Sequence, residues 1–164
     1  MEKKWWQEAV VYQIYCKSFC DSNGDGVGDI RGIISKLQNL KELGITHVHL
    51  LPVYDFGSVD EANPGFNWGY DPKNYNVPEG SYSTDPFNGE VRIKEFKQMV
   101  QALHNVGIGV IMDVVYNHTY DANSCFNRIV PYYYYRYTPS GANTSASGCG
   151  NDTASERYMF GKFM

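Results

Sequence analysis

An α/β fold with a parallel sheet is what this sequence predicts, and three observations carry it. Short apolar runs alternate with stretches of helical periodicity. The order along the chain is strand, helix, strand, helix, strand, which predicts right-handed βαβ units. The strands are apolar on both faces, as strands covered on both sides are.

The elements follow in order. Ala9-Val10-Val11-Tyr12-Gln13-Ile14-Tyr15 is rich in β-formers and reads as the first strand. A Gly/Asp loop occupies residues 21–29. Ile30, Ile33, Ile34, Leu37, Leu40 and Leu43 then recur at helical spacing, and Gly44 suits the position just past a helix end, so one helix is expected there. Ile45-Thr46-His47-Val48-His49-Leu50-Leu51 is the second strand, ended by Pro52. Residues 53–89 carry Gly, Asn and Pro punctuation and read as one long loop. Val91, Phe96, Met99, Val100 and Leu103 mark a second helix, closed by Gly107. Ile108-Gly109-Val110-Ile111-Met112-Asp113-Val114-Val115 is the third strand, apolar apart from Asp113. After Tyr116 the pattern dissolves into a segment rich in Tyr, Asn, Ser and Gly, with four successive tyrosines at 132–135. Residues 154–164 begin another helix. Three strands and two helices make an unfinished sheet. A (β/α)-barrel needs eight strands and typically about 250 residues, against 164 here.

Composition removes several function classes. Lys and Arg total 14 against 18 Asp and Glu, a net charge of −4. A nucleic-acid binder shows a basic excess, and so does a polybasic membrane-surface protein; neither is expected. No apolar run approaches the roughly 20 residues of a transmembrane helix. The start, Met1-Glu2-Lys3-Lys4-Trp5-Trp6-Gln7-Glu8, has two lysines, but Glu8 interrupts any apolar stretch, so a cytoplasmic chain is expected. The cysteines at 16, 20, 125 and 149 have neither C-x-x-C nor zinc spacing and read as free thiols, with a 125–149 disulfide as the alternative. The phosphate-loop, dinucleotide and nucleophile-elbow motifs are missing from the sequence. Aromatic residues reach 15%, with 14 Tyr, 8 Phe and 3 Trp. Core packing accounts for most of them, and the sharper reading is stacking surfaces for a ring-shaped ligand.

Three segments carry candidate chemistry. Residues 21–29 place the oxygens of Asp21, Asn23 and Asp25 at alternate positions, with Asp29 closing the loop. Hard cations such as Ca²⁺ take six to eight oxygen ligands, and D-x-[DN]-x-[DN]-G supplies them in EF-hands. Here Gly32 stands at the twelfth position, where an EF-hand has Glu, and the loop follows a strand. The alternative is a solvated turn with Asp29 as a helix N-cap. Asn67-Trp68-Gly69-Tyr70-Asp71-Pro72 follows the second strand, and in parallel α/β folds such loops carry the site. Trp68 and Tyr70 offer stacking faces and Asp71 an acceptor, unless the aromatics only pack locally. Asp113-Val114-Val115-Tyr116-Asn117-His118 ends the third strand. A buried Asp113 has to be paired or hydrogen-bonded. His118 stands at the strand exit, as a ligand contact or a structural imidazole; His47 and His49 read as structural.

Together these residues resemble the α-amylase family of glycoside hydrolases. The segment from Asp113 to His118 looks like that family's first conserved region, at the end of the third barrel strand. Asn67-Trp68-Gly69-Tyr70-Asp71-Pro72 looks like the motif of type I pullulanases, which cut α-1,6 branch points. His47-Val48-His49-Leu50-Leu51-Pro52, Tyr75-Asn76-Val77-Pro78-Glu79-Gly80-Ser81-Tyr82-Ser83-Thr84 and Gly148-Cys149-Gly150-Asn151 extend that likeness over about residues 37–164. Residues 1–36 look like the start of an oligo-1,6-glucosidase, except that Cys16-Lys17 stands where Pro-Arg is usual.

The resemblance implies the N-terminal portion of a (β/α)8 TIM barrel over residues 1–118, with three strands and two helices. Residues 119–164 would be a loop-rich inserted segment and the start of the next helix. It implies α-glucan substrates such as pullulan and branched maltooligosaccharides. It implies Ca²⁺ held by Asp21, Asn23, Asp25, Asp29 and the carbonyl of Val27. Tyr70 would stack under the glucose next to the scissile bond and His118 would hydrogen-bond the same sugar, with Trp68 and Asp71 also on the substrate. Asp113 would be structural, holding an arginine before the nucleophile, and Asn117 lies near a metal in some amylases. The family mechanism is retaining hydrolysis by two carboxylates about 5–5.5 Å apart. In the family these follow the fourth and fifth strands, with a third acid after the seventh, so no catalytic residue is expected here. The chain alone is expected to be inactive, with an unpaired third-strand edge and no arginine at Asp113. Two rival expectations are a non-catalytic glucan- or Ca²⁺-binding protein and an oligo-1,6-glucosidase.

Overall fold

The computed structural model describes residues 3–164, so Met1 and Glu2 of the N-terminal reading lie outside the described residues. The elements in chain order are β1 (Val11–Ile14), α1 (Cys16–Phe19), α2 (Ile30–Ser35), α3 (Leu37–Glu42), β2 (His47–Leu50), β3 (Tyr54–Phe56), β4 (Pro72–Pro78), α4 (Gly89–Asn105), β5 (Gly109–Met112), α5 (Cys125–Ile129) and α6 (Tyr158–Phe163). They form two compact units. One holds the chain up to Val53 with Asp60–Trp68 and Pro78–Asp113; the other holds Tyr54–Val59, Gly69–Val77 and Val114–Met164.

The first unit is the parallel sheet the sequence predicts, in the order β1-β2-β5. Tyr12 lies beside Val48 and Val48 beside Val110; Gln13 lies beside His49 and His49 beside Ile111. Period-2 alternation then sorts the faces. Ile14, Val48 and Leu50 are buried, as are Ile30, Ile33, Leu40, Met99 and Leu103 from the helices. Val11 and Gln13 on the other face are exposed, and His47, His49 and Ile111 are half-buried. The third strand is therefore not apolar-covered on both sides as expected. All four residues of β5 are half-buried, and Val114, expected within the strand, lies outside it. Among the described residues β5 pairs only with β2, so its outer edge is unpaired, as anticipated.

The single helix expected after the Gly/Asp loop is two. Lys36 sits at φ −104° and ψ 9° between α2 and α3, its N–H donating to the Ile33 carbonyl in a tight last turn. Gly44 and Gly107 end their helices at φ +71° and +83°, the left-handed conformation that position favours. Asn88 caps α4, its side chain accepting from the Glu90 amide.

The second unit contains what the sequence left as loop. β3 and β4 form a two-stranded sheet. β4 reads Pro-Lys-Asn-Tyr-Asn-Val-Pro, whose polar residues and terminal prolines hide a strand from pattern reasoning. Tyr75, Phe126, Tyr135 and Phe160 form the core, packed by Tyr54, Tyr116, Tyr134 and Tyr137. Isolated antiparallel bridges join His118 to Asp152, Tyr135 to Thr153 and Tyr137 to Asn143. α6 falls inside the final helix expected from the sequence. Tyr75 links the stretch before residue 118 to the one after it, its ring meeting Phe126 and Phe160. All four cysteines are free. No helix among the described residues is long and apolar enough to cross a membrane.

Candidate functional site

In the second unit the two motif segments are tied together. The Tyr120 amide donates to the Pro72 carbonyl at 2.8 Å, and the Tyr75 hydroxyl donates to the His118 carbonyl at 2.6 Å. Gly57 makes the approach possible: a Cβ there would meet the Tyr120 ring at 2.1 Å. Asp71 is fixed from the same side, its carbonyl accepting from the Gly57 amide at 3.0 Å and its carboxylate from the Ser58 amide at 2.8 Å. Tyr70, next to it, is 42% exposed. His118 is only 8% exposed, and its buried Nδ1 has no hydrogen-bond partner. A native buried polar atom is nearly always paired, so this nitrogen stands out. Asn117 is exposed, with its carbonyl accepting from Thr153 N at 3.0 Å.

A carboxylate that sequence reasoning passed over anchors the loop at 144–147 beside His118. Asp152, 1% exposed, lies directly across the bridge from His118. It accepts from the Thr144 hydroxyl at 2.7 Å, the Ala146 amide at 2.6 Å and the amide and hydroxyl of Ser147. These donors, the Ser147 hydroxyl foremost, hold its carboxyl far below the usual carboxylate range. Its signal in the sequence was a lone Asn-Asp among Ser and Gly, which has no period to betray it.

In the first unit Asp113 directly follows β5. It is half-buried rather than buried, its Oδ2 3.9 Å from Nε2 of His49, whose Nδ1 is 3.4 Å from the Gln13 amide. His49 therefore has a polar neighbour at each ring nitrogen. His47 has its Nδ1 2.8 Å from the Thr46 hydroxyl, and its ring fills the space a Cβ at Gly109 would need. Trp68 is 51% exposed and packs on Tyr15 and Phe66, with ring centroids 5.6 and 5.2 Å away. It lines a cavity of about 560 Å³ with Tyr12, Gln13, Tyr15, Phe19 and Leu51. Trp68 belongs to the first unit; Tyr70, Asp71 and His118 belong to the second.

The 21–29 loop folds around its own side chains. Asp21 accepts from the amides of Asn23, Gly24 and Gly26, Asn23 from the Asp25 amide, and Asp25 from the Val27 amide. The amide bonds, Gly24 first, hold the Asp21 carboxyl below its ordinary value. Asp29 differs from the others. It is 2% exposed, caps α2 through the Gly32 amide at 2.7 Å, and accepts from the Ser22 amide and hydroxyl. Among the described residues, Asp21, Asp25 and Asp29 do not bring one carboxylate oxygen each within 4.8 Å of one another. The donor set of Asp21, Asn23 and Asp25 is oxygen-only and exposed, which suits a hard cation.

Comparison with known proteins bears on the family. The family model described as alpha amylase, catalytic domain, matches residues 13–145. A pullulanase of Bacillus subtilis (strain 168) is 41% identical, covering 96% of this chain and 24% of its own length. An oligo-1,6-glucosidase of Parageobacillus thermoglucosidasius is 46% identical over 77% of this chain and 20% of its own. The crystal structure of a pullulanase from Paenibacillus barengoltzii, in complex with maltohexaose and α-cyclodextrin, superposes with a TM-score of 0.85 at 43% identity, covering 94% of this chain and 27% of that one. The chain therefore spans about a quarter of the length of these relatives.

Proposed function

Because the chain belongs to the alpha-amylase catalytic-domain family, we propose that it supplies the first three strands and part of the substrate site of a pullulanase-like glycoside hydrolase acting on α-1,6 bonds of α-glucans. The carrying observation is identity above 40% to pullulanases along nearly the whole chain. Residues 1–118 correspond to the opening of a TIM barrel, and residues 119–164 to the segment inserted after its third strand. The open face of Val11, Gln13, His47, His49 and Ile111 supports this, since that is the face a barrel fills with its interior layers.

At the site, Tyr70 offers its exposed ring to the sugar face. The orphan Nδ1 of His118 takes a sugar hydroxyl as its missing partner. Asp71, tied to Ser58, sets the position of Tyr70. Asp113 and His49 shape the end of the sheet. None of these residues forms the acid pair the reaction needs, so these 164 residues bind glucan without cleaving it. Asp21, Asn23, Asp25 and the Val27 carbonyl hold Ca²⁺, with Asp29 as the cap that fixes the loop to α2. The oligo-1,6-glucosidase reading rests on the 46% identity to that relative.

The test is titration of maltohexaose and isomaltose into the chain, with reducing-sugar release from pullulan measured in parallel. Maltohexaose binds, Tyr70→Ala weakens it about tenfold, in keeping with the loss of one ring contact, and no sugar is released. Preference for isomaltose moves the reading to oligo-1,6-glucosidase. Released sugar overturns the absence of the acid pair.

A further inference from the structure

The run of four tyrosines at 132–135 is not used by the site above. Three of them turn inward: Tyr135 is fully buried, Tyr134 is half-buried against Phe126, and Tyr133 is half-buried against Arg157. Tyr132 does the opposite and is 70% exposed. Its backbone stands at φ +64°, in the left-handed region that a bulky side chain rarely adopts. Such strain persists only where the surroundings over-determine it, and here they do. The Tyr132 amide donates to Asn127 Oδ1 at 3.2 Å, and the Arg157 guanidinium donates to the carbonyls of Tyr132 and Tyr133. Burial gives nothing back for this conformation, since the ring it presents is in water.

The exposed ring has a partner at an angle. Tyr137 lies 5.2 Å from it, centroid to centroid, with 56° between the planes. The Tyr137 hydroxyl donates to the same Asn127 Oδ1 at 3.0 Å, so one side chain fixes both rings. Asn143 faces Tyr137 across an antiparallel bridge and so shares its side of the pair. Its buried Nδ2 has no acceptor. Two fixed rings at an open angle match the apolar C–H faces of a pyranose, which stack on aromatic rings.

We propose that Tyr132 and Tyr137, held by Asn127 and Arg157, form a second carbohydrate-binding platform for an α-glucan chain, separate from the site at Tyr70 and His118. The choice of α-glucan rests on the functional reading above; the platform geometry does not. Its role is to hold a long glucan to the protein by a sugar remote from the reacting one.

Tyr132→Gly tests it cleanly. Glycine relieves the left-handed strain, so the variant keeps or raises the melting temperature while losing the ring. The wild-type chain, Tyr132→Gly, Tyr70→Ala and the double variant are titrated with maltohexaose, with tyrosine-ring NMR shifts as the readout. The wild type is expected to show two sets of shifting rings. Tyr132→Gly loses the Tyr137 shifts and weakens that phase five- to tenfold, and Tyr70→Ala loses only the other set. Unchanged binding in a folded Tyr132→Gly overturns the platform and leaves the Tyr70 site standing. Unchanged binding in Tyr70→Ala with loss in Tyr132→Gly keeps the platform and overturns the Tyr70 site. A self-association abolished by Tyr132→Gly, with glucan binding intact, assigns the rings to a second copy of the chain and overturns the proposal.

Discussion

The two units of this chain are held together by different chemistry. In the first, aliphatic side chains on β1, β2 and the helices are buried at positions that recur with period 2 and 3.6. In the second, the core is tyrosine and phenylalanine, regular structure is scarce, and a single carboxylate gathers four donors. A core built from repeating elements needs only the right residue type at each period. A core built from loops needs particular side-chain partners, because backbone groups outside ladders and helices still have to be satisfied.

The largest effects come from deleting each core's central residue. Phe160, fully buried, touches Tyr75, Phe126 and Tyr134 by ring contacts. Phe160→Ala is expected to cost about 3–5 kcal/mol and Leu103→Ala in α4 about 2–5 kcal/mol, both measured by urea unfolding. Methionine then separates the two cores. Leu103→Met should cost under about 1.5 kcal/mol, since an aliphatic core tolerates a volume-conserving swap. Phe160→Met should cost clearly more, because the ring contacts are worth about 0.5–1.5 kcal/mol each beyond area. Equal costs would show the second core to be ordinary hydrophobic packing.

A middle-sized effect isolates the carboxylate. Hydrogen bonds to a charged group contribute about 1.5–3 kcal/mol, so Asp152→Asn is expected to lose about 2 kcal/mol at pH 7. The sign with pH follows from the depressed folded value. Asp152 stabilises fully above the unfolded carboxylate range, near pH 4, and the contribution is lost as pH falls toward the folded value. The gap between wild type and Asp152→Asn should therefore close on acidification. A gap that stays constant from pH 7 to pH 2 would mean that the charge does nothing and only shape matters.

The same contrast explains what could be read from residues alone. Ile30, Ile33, Leu40, Met99 and Leu103 announced their buried faces by spacing, and the parallel order followed from the alternation of elements. The break at Lys36 was hidden because the apolar stripe runs on through it. β3 and β4 were hidden because Pro72-Lys73-Asn74 has the composition of a loop, and tertiary ring contacts rather than strand pattern draw Tyr75 inward. At the site, Tyr70 and His118 were visible as chemistry-bearing residues in loops after strands. Asp152, Gly57 and Tyr120 were not visible, since what ties them to these segments is pairing between residues distant in the chain, Tyr120 with Pro72 and Gly57, and Asp152 with His118.

The smallest expected effect decides how the first unit's loop works. Asp29 is buried, with both oxygens engaged by Ser22 and Gly32, while Asp21, Asn23 and Asp25 accept loop amides at exposed positions. Asn and Asp are about equal as helix N-caps, so Asp29→Asn keeps the bond from Gly32 and disturbs mainly the Ser22 amide. The cost without metal should be about 1 kcal/mol, read as a small fall in melting temperature in a chelator. Ligand binding raises stability by RT ln(1 + [L]/Kd), so added Ca²⁺ reports the ligands separately from the cap. If Asp29 is only the cap, wild type and Asp29→Asn gain the same number of degrees from Ca²⁺, while Asp21→Asn gains fewer. An equal loss of the Ca²⁺ gain in Asp29→Asn would mean that the loop reorganises on binding and turns its cap toward the ion. No gain in the wild type would leave the alternation at 21–29 as a turn that satisfies its own amides, which is the role its hydrogen bonds already perform.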